Sequence, residues 1–180
     1  MKKVFEYDKT ICPFRIISME TDYRMPVTIH TPQGPLTVYV EGDIDRVDQT
    51  DKGIRVIDYK TGSDKTDFKT LESIFDSTNK QRNKAAFQTL LYCMMFEYGH
   101  TDDTPVLPGI YSTKLLFSPD YSYFLKCNNE PIHCFRSYEN EFRQLLVQLL
   151  EELFSPDQPF EQNGLREKCK NCPYRGICHF

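Results

Sequence analysis

Apolar and polar positions alternate over four stretches in the first third of the chain. Later they recur every three to four residues, so the pattern predicts strands first and helices afterwards. Residues 14–20 read as a first strand and 27–30 as a second. Thr31-Pro32-Gln33-Gly34-Pro35 is a tight turn into a third strand over 36–48, and 54–60 is the fourth, completing an antiparallel meander. Between the last two lies Gln49-Thr50-Asp51-Lys52-Gly53, where Gly53 is free to take a positive φ. A polar loop over 63–67 and a short helix over 70–77 follow. The clearest early helix covers 83–98, with Ala85, Ala86, Leu90 and Met94 beside Phe87, Leu91 and Met95, and Gly99 at its end. A proline-broken stretch over 104–108 precedes a strand over 109–117 and a loop over 118–131. A last helix over 137–154 gathers Phe142, Leu145, Leu146, Leu149, Leu150 and Leu153 on one side, and Pro156 and Pro159 mark a linker. This order predicts an α/β fold with a mixed central sheet flanked by helices.

The fourth predicted strand ends in Ile57-Asp58-Tyr59-Lys60-Thr61-Gly62, and the third carries Gly42-Asp43-Ile44-Asp45-Arg46-Val47-Asp48. Side chains alternate along a strand, so Asp58 and Lys60 point one way and Tyr59 the other. Asp45 on the neighbouring strand falls close to both. Such a strand end is also what a solvated edge looks like. However, Val56-Ile57 leads straight into Asp58, which puts the carboxylate at the end of a buried strand. Two carboxylates beside a lysine suit a hard divalent cation and a phosphodiester better than a packed core. Asp43 shares the parity of Asp45, while Arg46 and Asp48 read as a structural ion pair. Gln88 and Tyr92, four apart, stack on one helix face, either beside that site or as a core tyrosine with a polar rim.

Length and composition narrow the class further. At 180 residues the chain builds one domain with a real core, to which thirteen Phe and eleven Tyr contribute. No apolar run approaches the roughly 20 residues that span a bilayer. The start, Met1-Lys2-Lys3-Val4-Phe5-Glu6, lacks the apolar stretch of a signal peptide. A cytoplasmic location is therefore expected, with the seven cysteines reduced or metal-bound. A net charge of −4 does not advertise a nucleic-acid binder, so any DNA contact must be a local basic strip. Candidates are Lys60, Lys65, Lys69, Lys80, Arg82 and Lys84, or Arg166, Lys168, Lys170 and Arg175. No Gly-x-x-x-x-Gly-Lys-Ser/Thr motif occurs, so a motor would have to sit elsewhere.

Gly-x-x-Asp-Arg-x-Asp over 42–48, the Asp-Tyr-Lys-Thr-Gly strand end, Gln-x-x-x-Tyr over 88–92 and the Cys-rich end over 169–178 occur in that order. Together they resemble the RecB/AddB-type branch of the PD-(D/E)XK nucleases. The resemblance implies a restriction-endonuclease-like core over 1–155 and a linker with a Cys-rich metal-binding tail over 156–180. It implies Mg²⁺, or Mn²⁺, on Asp45 and Asp58, with the Tyr59 carbonyl as a third oxygen and Glu20 as a further ligand. Lys60 would orient or deprotonate a water, or stabilise charge on the phosphate, and Gln88 and Tyr92 would position substrate or the lysine. In the tail, Cys169, Cys172 and Cys178 give three thiolates, one short of a closed zinc site or a cubane cluster. Cys12 is the candidate fourth ligand of a 4Fe-4S cluster, and His179 a weaker one that would make the site zinc-like (Zn²⁺). Cys93, Cys127 and Cys134 read as ordinary packed side chains.

The implied partners are DNA and the rest of a larger nuclease subunit or a helicase, with no membrane. The family core opens with a helix, for which the residues before Phe14 offer almost nothing, so the resemblance implies a fragment with that helix missing or supplied from elsewhere. The leading expectation is a divalent-metal-dependent DNA nuclease, the exonuclease part of a helicase–nuclease repair system. The alternatives are a catalytically silent DNA-binding or scaffolding module with a metal-stabilised tail, and a zinc-ribbon interaction protein.

Overall fold

In the computed structural model, which describes residues 2–159, 169–170 and 172–177, the alternating first third folds into three long strands rather than four. β1 (Arg15–Thr31) runs unbroken through both of the first two predicted strands. The polar residues 21–24 stay in the ladder, Thr21 opposite Ile44 and Arg24 opposite Glu41. Their polarity marks solvent contact instead of a strand break. The Arg24 guanidinium, for example, lies 3.9 Å from the centre of the Tyr39 ring. The strand accommodates this length with a register shift between Ile16 and Ser18 and a positive φ of 45° at Glu20.

β2 (Gly34–Thr50) and β3 (Gly53–Lys60) form the predicted hairpin, and Gly53 adopts φ 139°. A side chain there would also collide with the Pro105 carbonyl oxygen, so glycine is required twice over. β4 (Asp67–Phe68) and α2 (Leu71–Phe75) follow, the latter opened by a capping box between Thr70 and Ser73. α3 (Lys84–Gly99) then carries the chain across to β5 (Val106–Ser112), which pairs in parallel with β3. The sheet order is β1-β2-β3-β5, antiparallel except at the last pair, which is the mixed sheet expected.

β5 starts earlier than predicted, incorporating Pro108, whose carbonyl accepts from Leu125 at 3.1 Å. It also ends earlier, because the Ser112 carbonyl turns the chain by accepting from the amides of Leu115 and Leu116. The predicted loop over 118–131 contains β6 (Lys126–Cys127) and β7 (Glu130–Pro131), which join β4 in a small second sheet. α4 (Arg136–Leu153) buries Phe142 and Leu146 and packs on β1 and α2.

The stretch before Phe14 corrects the sequence reading, because it forms a helix, α1 (Lys2–Lys9). Eight residues are too few to display a periodicity, and an isolated helix that short does not persist in water. Docking sustains it. Val4, Tyr7 and Ile11 pack on Ile57, Tyr111 and Leu116 on one face of the sheet. The opposite face carries the main core, where Ile54, Val56, Val106 and Ile110 meet Ala86, Leu90, Cys93 and Met94 of α3. α3 is buried almost all round because it lies between this sheet and the helices α2 and α4. Among the described residues no helix is long and apolar enough to cross a membrane.

Candidate active site

The β2–β3 ladder ends at the pair Arg46–Ile57, which leaves Asp45 and Asp58 facing each other one step beyond it. Asp45 is half-buried, and its Oδ2 accepts the backbone N–H of Tyr59 at 2.7 Å. Asp58 is 1 % exposed. The Lys60 ammonium donates to Asp58 Oδ1 at 3.0 Å and sits 2.8 Å from Oδ2, an atom that is buried yet receives no hydrogen bond. Beyond Lys60 the chain is pinned. Thr113 N–H donates to the Lys60 carbonyl at 2.8 Å, and Ser112 Oγ to the Gly62 carbonyl at 2.9 Å.

α3 supplies the other wall. Asn83 caps it by accepting from Ala86 N–H at 3.0 Å, while its amide donates to the carbonyls of Lys65 and Asp67. The helix start is thereby fixed to the loop that follows β3. One turn on, Gln88 Oε1 accepts from Lys60 Nζ at 2.7 Å, and Gln88 Nε2 donates to the Tyr92 hydroxyl at 2.7 Å. Gly42 lets this happen, since a Cβ there would stand 3.2 Å from Tyr92 Cε1. Its backbone φ is not in the left-handed region, so close approach alone explains the glycine. Asp45, Asp58, Lys60, Gln88 and Tyr92 are thus brought together: the two periodicities account for the strand set and the helix pair, and the resemblance implied that the two meet.

Burial pushes the Asp58 carboxyl above the usual carboxylate range, Lys60 pulls it back, and the charges of Asp45 and Asp64 push it up again. A buried, anion-crowded carboxylate with an unsatisfied oxygen is the kind of group that a divalent cation relieves. Asp45, Asp58 and the Tyr59 carbonyl therefore fit Mg²⁺ or Mn²⁺, which keep most of their waters and need few protein ligands. Glu20 is exposed, and among the described residues no three His, Cys, Asp or Glu side chains converge as a ready-made metal cage. Asp43 is exposed, and its carboxyl pKa is raised first by hydrogen bonding with the neighbouring Asp22 and by that residue's charge, with the charges of Asp45 and Glu20 adding to it.

Tyr59 points away from the site, as alternation requires, into a buried polar network on the α1 side. Arg46 Nη1 donates to the Tyr59 hydroxyl at 3.1 Å and to Asp8 Oδ2 at 2.7 Å, while Nε donates to Asp48 Oδ2 at 2.5 Å. Arg55 donates to both oxygens of Asp48, at 2.6 and 2.8 Å, and to the Tyr111 hydroxyl at 3.1 Å. The Tyr111 hydroxyl in turn donates to Asp8 Oδ1 at 3.1 Å. Burial alone would lower the Arg46 guanidinium, but the Asp8 and Tyr59 hydrogen bonds and the charge of Asp48 outweigh it and hold it up. The expected Arg46–Asp48 pair is present. Sequence reasoning missed Arg55, Tyr111 and Asp8. Arg55 did carry a signal, because a charge inside Ile54-Arg55-Val56-Ile57 must find a partner.

The basic strip is partly assembled. Lys65, Lys69, Arg82 and Lys84, with Asp64 and Asp67 among them, line an open cleft of about 620 Å³ beside the start of α3. In the tail, Cys169 and Cys172 are half-buried, and Cys172 N–H donates to the Cys169 carbonyl at 3.2 Å. Cys12 is exposed just after α1. Cys178, His179, Arg166 and Lys168 lie outside the described residues. The family model of the PD-(D/E)XK nuclease superfamily matches residues 2–179. No curated protein matches the chain.

Proposed function

The chain belongs to the PD-(D/E)XK nuclease superfamily, whose members are metal-dependent nucleases, and on that premise we propose that it hydrolyses DNA phosphodiesters at Asp45, Asp58 and Lys60. The observation that carries this is the Lys60 ammonium held between Asp58 and Gln88, with Asp45 opposite Asp58 on the next strand. Asp45 and Asp58 would hold Mg²⁺ or Mn²⁺, with the Tyr59 carbonyl as a further oxygen. When bound, the cation neutralises the phosphate and acidifies a water. The Tyr59 N–H holds Asp45 Oδ2 and so orients the carboxylate that would bind the cation. Lys60, already a donor to two oxygens, donates to the scissile phosphate as negative charge builds on it. Gln88, steadied by Tyr92, keeps the ammonium aimed at that place. Hydrolysis forms one P–O bond to water and breaks one to the leaving sugar oxygen, which takes up a proton.

The cleft of Lys65, Lys69, Arg82 and Lys84 is also lined by Asp64, whose charge reaches Asp58, and it suits the DNA backbone. Motif order supports an exonuclease within a helicase–nuclease repair system, working in the cytoplasm beside a helicase or a larger subunit. The thiol spacing of Cys169, Cys172 and Cys178 supports a metal-binding tail after residue 155, with a 4Fe-4S cluster completed by Cys12, or Zn²⁺ in its place.

The test is cleavage of linear single- and double-stranded DNA with Mg²⁺ or Mn²⁺, comparing the chain with Lys60→Ala. Loss of about a hundredfold or more in the variant is expected for removal of one aimed donor. Equal cleavage by both would refute the assignment of Lys60. No cleavage by the folded, metal-loaded chain would leave a silent DNA-binding module.

A further inference from the structure

We propose that Asp8 of α1 is a positioning residue for the metal site, setting the Asp45 carboxylate from the opposite face of the sheet through Arg46 and Tyr59. This rests on Asp45 and Asp58 holding a divalent cation. The connection is made of hydrogen bonds on either side of Tyr59, joined through the covalent frame of that residue. Asp8 Oδ2 accepts Arg46 Nη1 at 2.7 Å, the same nitrogen donates to the Tyr59 hydroxyl at 3.1 Å, and the Tyr59 N–H donates to Asp45 Oδ2 at 2.7 Å. Both intermediates adjoin the site in sequence: Arg46 follows Asp45, and Tyr59 lies between Asp58 and Lys60.

Arg46 would stay charge-paired without Asp8, because Asp48 holds its Nε. What Asp8 adds is direction. It anchors the nitrogen that faces Tyr59, while the remaining nitrogen, Nη2, is buried with no hydrogen-bond partner, the guanidinium lying over the Phe14 ring. Remove Asp8, and Nη1 keeps the neutral Tyr59 hydroxyl as its one acceptor, while its second N–H and Nη2 have none. Turning about the Asp48 contact is then the available relief, and it carries Nη1 away from the tyrosine hydroxyl. Tyr59 loses its tether, and the N–H that orients Asp45 loosens with it. Asp8 is also the one buried residue of α1 and meets Tyr111 of β5 through its second oxygen. Docking of the helix and alignment of the carboxylate are therefore the same event.

The experiment is a Mn²⁺ titration followed by electron paramagnetic resonance, at a temperature well below each protein's unfolding midpoint. It compares the full chain with Asp8→Asn, Tyr59→Phe and Asp58→Asn. Partners behind a metal ligand typically change affinity about 10- to 100-fold, so a rise in Kd of about tenfold is expected for Asp8→Asn and about threefold for Tyr59→Phe. In DNA cleavage, Asp8→Asn lowers kcat with KM unchanged. Wild-type Mn²⁺ affinity in folded Asp8→Asn, whatever its midpoint, would make Asp8 merely structural and overturn the proposal. Should that variant not fold, wild-type affinity in Tyr59→Phe overturns it equally, since the phenol is the link being cut. Binding by the wild type that survives Asp58→Asn would instead sink the underlying metal-site assignment.

Discussion

Asp48→Asn is the sharpest probe of what holds the back of the sheet together. Two guanidiniums, Arg46 and Arg55, are balanced by two carboxylates, Asp8 and Asp48. The side chains of Arg46, Arg55 and Asp48 are at most 3 % exposed. Asparagine preserves the shape of Asp48 but leaves this enclosed group with a net positive charge. Of the bonds at 2.5, 2.6 and 2.8 Å, those to one oxygen survive, while the new amide points a donor at a guanidinium. Breaking a buried ion pair from one side costs about 3–5 kcal/mol. Total stability of a domain is about 5–15 kcal/mol, so the loss is a large share of it. For a chain of this size, about 2–4 °C per kcal/mol converts the loss to a fall of about 6–20 °C in the unfolding midpoint. Thermal and urea unfolding followed by circular dichroism read it directly. Glu139→Gln breaks the half-exposed Arg143–Glu139 pair at 2.8 Å and is the contrast, expected to change stability by about 0.3–0.5 kcal/mol. An Asp48→Asn protein within about 1 kcal/mol of the wild type would show that the network is energetically idle, against the expectation for a one-sided break.

Two further outcomes concern the site itself. Gly42→Ala sets a methyl 3.2 Å from Tyr92 Cε1, forcing a shift that passes through Gln88 to Lys60. A misplacement of about 1 Å can remove about a hundredfold in rate, so a shift of a few tenths should slow DNA cleavage about three- to tenfold. Unchanged kcat in that variant would mean that Tyr92 does not position the lysine. In metal-free protein the raised pKa of Asp58, due first to burial, means that the folded state holds its proton to higher pH than the unfolded state does. Its contribution to stability is therefore present in acid and lost as pH rises from the ordinary carboxylate range through the folded pKa. The midpoint of the wild type in EDTA, relative to Asp58→Asn, should fall across that window, and saturating Mg²⁺ should restore it for the wild type alone. A difference that is flat with pH would contradict the shift.

Each half of the front was legible from a short period, and only the resemblance joined the halves, since Lys60 meets Gln88 across 28 residues. Alternation along β3 sends Asp58 and Lys60 one way and Tyr59 the other, and the helical repeat stacks Gln88 on Tyr92. Neither inference needs a distant contact. The back was not legible, because its bonds span the chain: Asp8 reaches Arg46 across 38 residues and Tyr111 across 103. No local pattern in Lys2–Lys9 announces a buried carboxylate, and the helix that carries it was missed for the same reason. Gly42 had a motif position but no visible cause until Tyr92 lay against it. The polar run over 21–24 was misread as a strand boundary, since Asp22 and Arg24 meet water and Tyr23 alone there packs on the core, too little alternation to mark a strand. Thiol spacing was visible in the tail, where Cys169 and Cys172 adjoin while Cys178 falls beyond the described residues.

Along the two strands of the hairpin, members of the front centre and of the back network take turns: Asp45 then Arg46, Asp58 then Tyr59 then Lys60. The two sets are therefore interleaved like the odd and even words of one sentence. Point substitutions can alter one set and spare the other. A single inserted or deleted residue between Arg46 and Asp48, or between Arg55 and Asp58, has no such freedom. It would exchange the faces of everything beyond it, turning a carboxylate of the front centre toward the enclosed arginines. Reading frame within the sheet, more than the identity of any one side chain, is what this protein has least latitude to change.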